Sequence, residues 1–356
     1  MIDQYSRQIM TDLWSKEYRF QKWLDLEILA IEAWAELGLV PREAAAALKE
    51  KAKFSLQRIE EIEEESCQEV EAFTQSVLEN LGPESKYFHL GLTSTDLVDT
   101  ALSALLQEAI TVIQEGLEKL AEVLKKQAIK YKNTVCLGRT HGIQAKPTTF
   151  GLKLALWYSE TRRNLERLEG AKERIAVGKI SGAVGTYANV DPFVERYVCE
   201  GLNLQPALIS TQTLQRDRHA ELQMVLAIIA SCLDKYAREI RALQKNEVIE
   251  LDYQSNQKSS VPPKKSPISC QEISGLTRLV RSNSMAALEN IANWHESDLS
   301  HSSVERVILP DSTTLIDYLL NEFIPIVDDL RVYSENMLSN LEKNQGLLHS
   351  QQVISG

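Results

Sequence analysis

Apolar residues along this chain recur at the spacing of long amphipathic α-helices. From Val98 to Leu124 they return every three or four residues, which predicts one continuous helix of about seven turns. Thr95 or Asp96 is the expected N-cap of this helix, and several lysines follow its end. The same periodicity predicts four further helices, at about 148–176, 217–248, 272–292 and 312–341.

The first 86 residues carry a different pattern, that of shorter helices. Their first helix is predicted at Lys16–Leu37, with Gly38 ending it and Pro41 opening the next. We therefore predict an N-terminal helical domain at 1–86 and a central long-helix bundle at 87–356. Helices of about 30 residues far exceed the usual ~11–12 and are hard to bury within one chain. An all-α bundle completed by other subunits is the expected fold.

Composition agrees with this fold and narrows the function. Only 15 glycines and 10 prolines occur among 356 residues, which disfavours an all-β fold. The net charge of −11, without a lysine and arginine cluster, disfavours nucleic-acid binding as the main activity. The longest apolar run, Met224–Leu233, is too short to span a bilayer, and the first residues lack a secretion signal. We expect a cytoplasmic protein with no nucleic-acid or membrane partner.

The polar motifs lie in the breaks between the predicted helices. His141 stands in GRTHGIQAKPTT (138–149), where Gly142 allows close approach and an imidazole could exchange a proton near neutral pH. A histidine hydrogen-bonded only for structure is the alternative. None of the six histidines has metal-ligand spacing, and the five cysteines form no CxxC pair. We therefore expect no metal and no cofactor.

Two other breaks contain candidate binding residues. Gln257–Gly275 places three prolines among serines and lysines, which predicts a polar loop that closes over a ligand with Ser259 and Ser260 near its tip. An exposed linker is the alternative for this segment. The motif GLTSTD (91–96) places Thr93 and Ser94 at the start of the longest helix, where free amides suit a carboxylate. An ordinary N-cap is the alternative there.

Together these breaks resemble the adenylosuccinate lyase family of the fumarase/aspartase superfamily, over nearly the whole chain. The resemblance rests on five blocks: HLGLTSTDLVDTALS (89–103), GRTHG…PTTFGLKLALW (138–157), GKISGAVGTYANVDPFVE (178–195), ISTQTLQRDRHA (209–220) and SDLSHSSVER (297–306). It implies an all-α, fumarase/aspartase-type homotetramer with composite active sites, each drawn from three subunits. The family continues into a small C-terminal helical domain where this chain ends at Gly356.

The resemblance also implies a reaction, the elimination of fumarate from an N-succinyl substrate by a C–N lyase. Matched by motif, Ser259 removes the Cβ proton and His141 protonates the departing nitrogen. Preorganised donors are needed because the intermediate is a dianion. The implied substrate-binding residues are His89, Thr93, Ser94, Gln212, Ser260, Lys264, Ser302, Ser303 and Arg306.

The chain departs from the family pattern in the nucleotide pocket. Gln4, Gln68 and Ser297 stand where the family has an arginine, a histidine and an arginine. Each hydrogen bond from a charged group is worth about 1.5–3 kcal/mol, so affinity for a nucleotide substrate should fall by several orders of magnitude.

The catalytic loop departs as well. It is one residue short, and Gln271 occupies the position of a glutamate that pairs with the acid histidine. Glu272 follows directly, but one residue on a helix is a turn of about 100°, so it replaces that glutamate only after a register shift. We therefore predict a lyase with altered, non-nucleotide specificity. A weak or inactive paralogue acting as an oligomeric scaffold and a true adenylosuccinate lyase of purine biosynthesis are the alternatives.

Overall fold

A computed structural model of the chain describes residues 3–66, 68–253 and 268–343. Short 3-10 turns lie at Asp3–Tyr5 and Pro83–Tyr87. The α-helices are α1 (Gln8–Leu13), α2 (Lys16–Glu36), α3 (Arg42–Lys51), α4 (Leu56–Ser66), α5 (Glu69–Leu78), α6 (Ser94–Lys130), α7 (Phe150–Ile175), α8 (Pro192–Gly201), α9 (Asp217–Leu243), α10 (Ile268–Glu289), α11 (Ser300–Asp328) and α12 (Ser334–Glu342). The strands are β1 (Val135–Thr140), β2 (Ile143–Thr149), β3 (Val177–Gly178), β4 (Gln205–Pro206), β5 (Leu251–Asp252) and β6 (Arg331–Val332). The prediction of an all-α fold built from long helices is confirmed.

Four of the five long helices lie close to their predicted positions, and the fifth does not. The helix predicted at 312–341 begins at Ser300, because the Asp298 carboxylate accepts a hydrogen bond from the Ser300 amide (2.7 Å) and so caps it. It ends at Asp328, before β6 pairs with β5. The predicted capping of α6 was also wrong, since Asp96 lies within the first turn of a helix that starts at Ser94.

The β1–β2 hairpin was not predicted from the sequence. Its two strands pair antiparallel around the turn His141–Gly142, with φ of 56° and 73°. Positive φ at both central residues is the requirement of a type I′ turn, which suits the twist of a two-residue hairpin. Gly142 serves this backbone conformation rather than the close approach expected of it, since a Cβ there would meet nothing within 4 Å.

Contacts among the Cα atoms divide the chain into two compact units. The first comprises Met1–Thr111, Gly170–Leu222 and Met285–Pro310, within the described residues. Its aromatic core stacks Phe20 on Phe73 at 5.7 Å between ring centroids, with Trp23 edge-on to Phe73 at 5.5 Å. The division of the chain at residue 86 stays a prediction.

The second unit comprises Val112–Glu169, Gln223–Ser284 and Asp311–Gly356 as far as they are described. Its core joins α7, α9 and α11 through aromatic rings: Trp157 stacks on Tyr236 at 4.7 Å between ring centroids, and Tyr236 lies tilted against Phe323 at 6.0 Å. Across the described residues of both units, no helix is both long enough and apolar enough to cross a bilayer. Four cysteines in that part of the chain carry free thiols.

Candidate active site

His89 lies in the loop before α6 and is held by a buried carboxylate. Its backbone is in the left-handed region (φ 58°), and its Nδ1–H donates to Glu27 Oε1 at 2.6 Å. The His89 amide donates to the other Glu27 oxygen at 3.2 Å, so the loop is bonded at two points. Burial opposes protonation of the ring, but the Glu27 carboxylate outweighs it and raises the pKa of His89. The Glu27 carboxylate therefore favours the protonated form of the His89 ring.

Thr93 directly precedes α6 and Ser94 begins it, beside a buried ion pair. The Thr93 amide donates to Asp96 Oδ2 at 2.9 Å, and Asp96 Oδ1 accepts from Lys179 Nζ at 2.5 Å. Both charged side chains have no solvent exposure. The same Asp96 oxygen also accepts the amides of Ser181 and Gly182, at 3.1 and 3.3 Å. Asp96 thereby ties the start of α6, where Thr93 is half-buried and Ser94 exposed, to the 178–191 segment.

Gln212 lies in a segment that is bonded on both sides. Ser210 Oγ is 2.8 Å from Ser181 Oγ, and Thr211 Oγ1 donates to the Glu296 carbonyl at 2.9 Å. Gly185 (φ 77°) approaches so closely that a Cβ there would lie 2.1 Å from the Ser210 carbonyl oxygen. The half-buried Gln212 side chain is thus carried by a segment fixed against the 178–191 loop.

Ser302, Ser303 and Arg306 lie in the first two turns of α11. Ser302 is half-buried, whereas Ser303 and Arg306 are exposed. Arg306 Nη2 is 2.8 Å from Glu69 Oε2, and Glu69 also pairs with Arg19. The first unit therefore contains His89, Thr93, Ser94, Gln212 and this α11 group, all of which the sequence marked as substrate-binding residues.

Charged residues that the sequence analysis did not select support these segments. They are Glu27, Asp96, Lys179, Asp99, Arg216 and Glu305, and each is at most 5% exposed. Five of them stand inside the quoted sequence blocks: Asp96, Asp99, Lys179, Arg216 and Glu305. The sequence did contain a signal for these residues. A charged residue inside a block that also supplies apolar core positions is expected to be buried, and a buried charge needs a partner.

His219 is buried in the first unit, where neither ring nitrogen has a hydrogen-bond partner among the described residues. Burial, and then the Arg216 charge, lower the pKa of His219 to about 3, so the ring is neutral at pH 7. Since this pKa is depressed on folding, the stability it contributes is present above the unfolded value of about 6.5 and is lost as pH falls towards 3.

We expect His219→Leu to remove this loss of stability in acid. Below about pH 6, wild type should lose about 1.4 kcal/mol per pH unit relative to the variant, measured by urea unfolding across that range. His295→Leu is the control because His295 is exposed. Parallel pH dependence in wild type and His219→Leu would contradict the neutral buried ring.

His141 belongs to the second unit, at the turn of the β1–β2 hairpin, where its side chain is exposed. Two residues earlier, Arg139 pairs with the buried Glu250 through bonds of 2.5 and 3.0 Å. Glu250 Oε1 also accepts a hydrogen bond from the side-chain Nδ2 of Asn340 at 3.0 Å. The Arg139–Glu250 pair therefore anchors the hairpin two residues before His141.

The remaining predictions concern the loop serines, Lys264 and Glu272. Ser259, Ser260 and Lys264 lie outside the described residues. In the second unit, burial and then the charge of Glu272 raise the pKa of Glu322. Glu272 therefore lies near another carboxylate of the bundle.

Comparison with known proteins identifies the family. The family profile described as "Lyase" matches residues 4–281. The chain is 53% identical to adenylosuccinate lyase of Bacillus subtilis and 49% identical to that of Staphylococcus saprophyticus, in each case over 99% of this chain and 83% of the relative. The chain belongs to the adenylosuccinate lyase family. It is therefore a lyase.

Solved structures of other lyases and related enzymes share the fold of this adenylosuccinate lyase family member. A fumarate lyase from Mesorhizobium sp. BNC1 superimposes with a TM-score of 0.89 at 26% identity, covering 96% of this chain and 80% of that one. The 3-carboxy-cis,cis-muconate lactonizing enzyme of Pseudomonas putida gives 0.89 at 28% identity, covering 98% and 80%. The predicted fumarase/aspartase-type fold is confirmed.

Proposed function

We propose that this chain is a C–N lyase that eliminates fumarate from an N-succinyl substrate, and that the substrate is adenylosuccinate. The observation that carries the proposal is the donor set beside α6: a His89 ring with raised pKa, and Thr93 and Ser94 at a helix start tied down by Asp96. A succinyl group has two carboxylates. A histidine ring whose protonation is favoured suits one of them, and a helix N-terminus suits the other.

The reaction proceeds in two proton transfers. A base, Ser259 by motif, takes the proton from Cβ, and the electron pair is delocalised into the adjacent carboxylate as an aci-carboxylate dianion. Collapse of this dianion forms the double bond of fumarate and breaks the Cα–N bond, and His141 delivers a proton to the departing nitrogen. Fixed donors lower the barrier because they are already oriented towards the charge that develops.

The choice of leaving amine depends on the group around Glu69. Arg19 and Arg306 both pair with this carboxylate, and the Glu63 carboxylate also acts on Arg19. The exposed Arg306 guanidinium suits a phosphate even though Gln68 and Ser297 are neutral. Together with the names of the two relatives, it favours adenylosuccinate over the non-nucleotide substrate that the sequence predicts. The altered specificity stays the second candidate because of Gln4, Gln68 and Ser297.

A homotetramer with composite active sites, located in the cytoplasm, is part of the same proposal. Apolar side chains on α9 support subunit contacts, since Met224 and Ile228 are 39% and 38% exposed on a long helix. Light scattering should give four times the chain mass.

One assay compares the proposed reaction with its alternatives. The protein is incubated separately with adenylosuccinate, argininosuccinate and simple N-succinyl amines, and fumarate is followed by ultraviolet absorbance. We expect turnover of adenylosuccinate at ordinary enzyme rates, of the order of 1–10³ per second. Turnover of another N-succinyl compound alone would establish altered specificity. Absence of turnover with every substrate would favour the oligomeric scaffold.

A further inference from the structure

Arg216 lies at the centre of a buried cluster in the first unit and uses all of its hydrogen-bond donors. Its two terminal nitrogens grip Asp99 in a fork at 2.7 and 2.8 Å. Its Nε and Nη2 donate to the two oxygens of Glu305 at 3.0 and 3.2 Å. The remaining N–H donates to the Leu214 carbonyl at 2.6 Å. Five donors of the planar guanidinium are therefore satisfied.

This cluster is not explained by stability. Asp99, Arg216 and Glu305 are 1%, 3% and 5% exposed, and two carboxylates share one cation. Removing charges from water costs about as much as their attraction returns, so well-packed apolar residues would stabilise the fold equally well. What apolar residues cannot supply is a set of directed bonds at defined lengths.

The bonds of the cluster join three segments that carry predicted substrate-binding residues. Asp99 is on α6, five residues after Ser94, and its Oδ2 also accepts the Leu214 amide at 2.8 Å. Leu214, bonded through both its amide and its carbonyl, follows Gln212 by two residues. Glu305 is on α11, two residues after Ser303.

We propose that Arg216 is a positioning residue that sets substrate affinity, by holding the Gln212 segment and the serine-bearing turn of α11 to the helix that begins at Ser94. This inference takes the identity of the substrate from the proposed function. The geometry of the Arg216 cluster does not depend on that function. Arg216 does not touch the substrate. It acts through Leu214 and Glu305, so its loss should weaken binding more than the chemical step.

The protonation of Glu305 supports this role and makes it dependent on pH. Burial, opposed by Arg216 and reinforced by Asp99, raises the pKa of Glu305 to about 7. The groups that act on Glu305 are Asp99 on α6, Arg216 just before α9 and Asn290 after α10. His219 on α9 and His301 on α11 interact with Arg216 and Asp99, and Asp298 just before α11 interacts with His301. A protonated Glu305 loses its charge-assisted bonds to Arg216, so the hold on α11 weakens below pH 7.

The test compares Glu305→Gln with wild type in steady-state kinetics at about pH 6 and about pH 8. Wild-type KM should rise about tenfold from the higher to the lower pH, because charged hydrogen bonds are lost. Glu305→Gln keeps the shape of the side chain without its charge, so its KM should be high and flat across this range. Its kcat should stay within about threefold of wild type.

Two further variants separate positioning from general damage. Asp234→Asn removes the charge of a similarly buried carboxylate in the second unit, whose arginine partners Arg238 and Arg281 are 61% and 33% exposed, and its KM profile should match wild type. Arg216→Lys keeps the charge but not the fork, so it should fail to restore a low KM. The proposal would be overturned if KM of Glu305→Gln varied with pH as KM of Asp234→Asn does. It would also be overturned if kcat of Glu305→Gln fell by as large a factor as its KM rose.

If the wild-type protein were inactive, the proposed function would be contradicted, but this inference could still be tested. Fumarate binding by calorimetry then replaces KM, and amide hydrogen exchange of 209–214 in the ligand-free protein reports the hold on that segment. Faster exchange in Glu305→Gln than in Asp234→Asn supports the positioning role, and equal exchange with equal fumarate affinity overturns it.

Discussion

Lys179→Met should lower the free energy of unfolding by about 3–5 kcal/mol, because it leaves the Asp96 carboxylate buried without its cation. Lys179 and Asp96 have no solvent exposure, and Nζ lies 2.5 Å from Oδ1. Methionine has a similar volume, so the loss comes from the unpaired charge rather than from a cavity. Two backbone amides on the same oxygen offset only part of that loss.

Equilibrium unfolding in urea, followed by circular dichroism, measures this effect. Lys16→Met is the matched control, since Lys16 pairs with Glu60 at 2.8 Å while both side chains are more than half exposed. An exposed pair contributes about 0–1 kcal/mol. Pairing Lys179→Met with Asp96→Leu should recover part of the stability. Equal losses in Lys179→Met and Lys16→Met would contradict the buried pair.

His141→Asn should reduce turnover of the N-succinyl substrate about 10²–10⁴-fold while leaving the fold intact. The amide of asparagine cannot protonate the departing nitrogen, and positioned general acids contribute factors of that size. Asparagine tolerates the left-handed region better than most residues do, and position 141 has φ 56°. The free energy of unfolding should therefore be equal to or above that of wild type.

Fumarate release and urea unfolding on the same preparations check both halves of this prediction. Ile143→Ala is the control, because Ile143 is exposed on the same hairpin and carries no titratable group. Loss of activity in both variants would point to a damaged hairpin. Retention of activity in His141→Asn would remove the histidine from the proposed mechanism.

His141 shows which features of the site the sequence predicted and which it did not. The motif GRTHG predicted an imidazole in a break between helices, and the structure places it at a turn. The strands around it were missed because the helical periodicity on both sides dominates the pattern, and because a two-residue turn is set by backbone angles. The altered specificity inferred from Gln68 and Ser297 did not anticipate two arginines on Glu69.

The sequence by itself determined four of the five long helices and the family, because apolar spacing of 3.6 residues and dense motif blocks are local properties of the chain. Only the tertiary structure decided which charges are partners. Asp96 meets Lys179 across 83 residues of sequence, and Asp99 meets Arg216 across 117. Such pairs form because burial makes an unpartnered charge costly, and where each partner lies depends on how the helices pack.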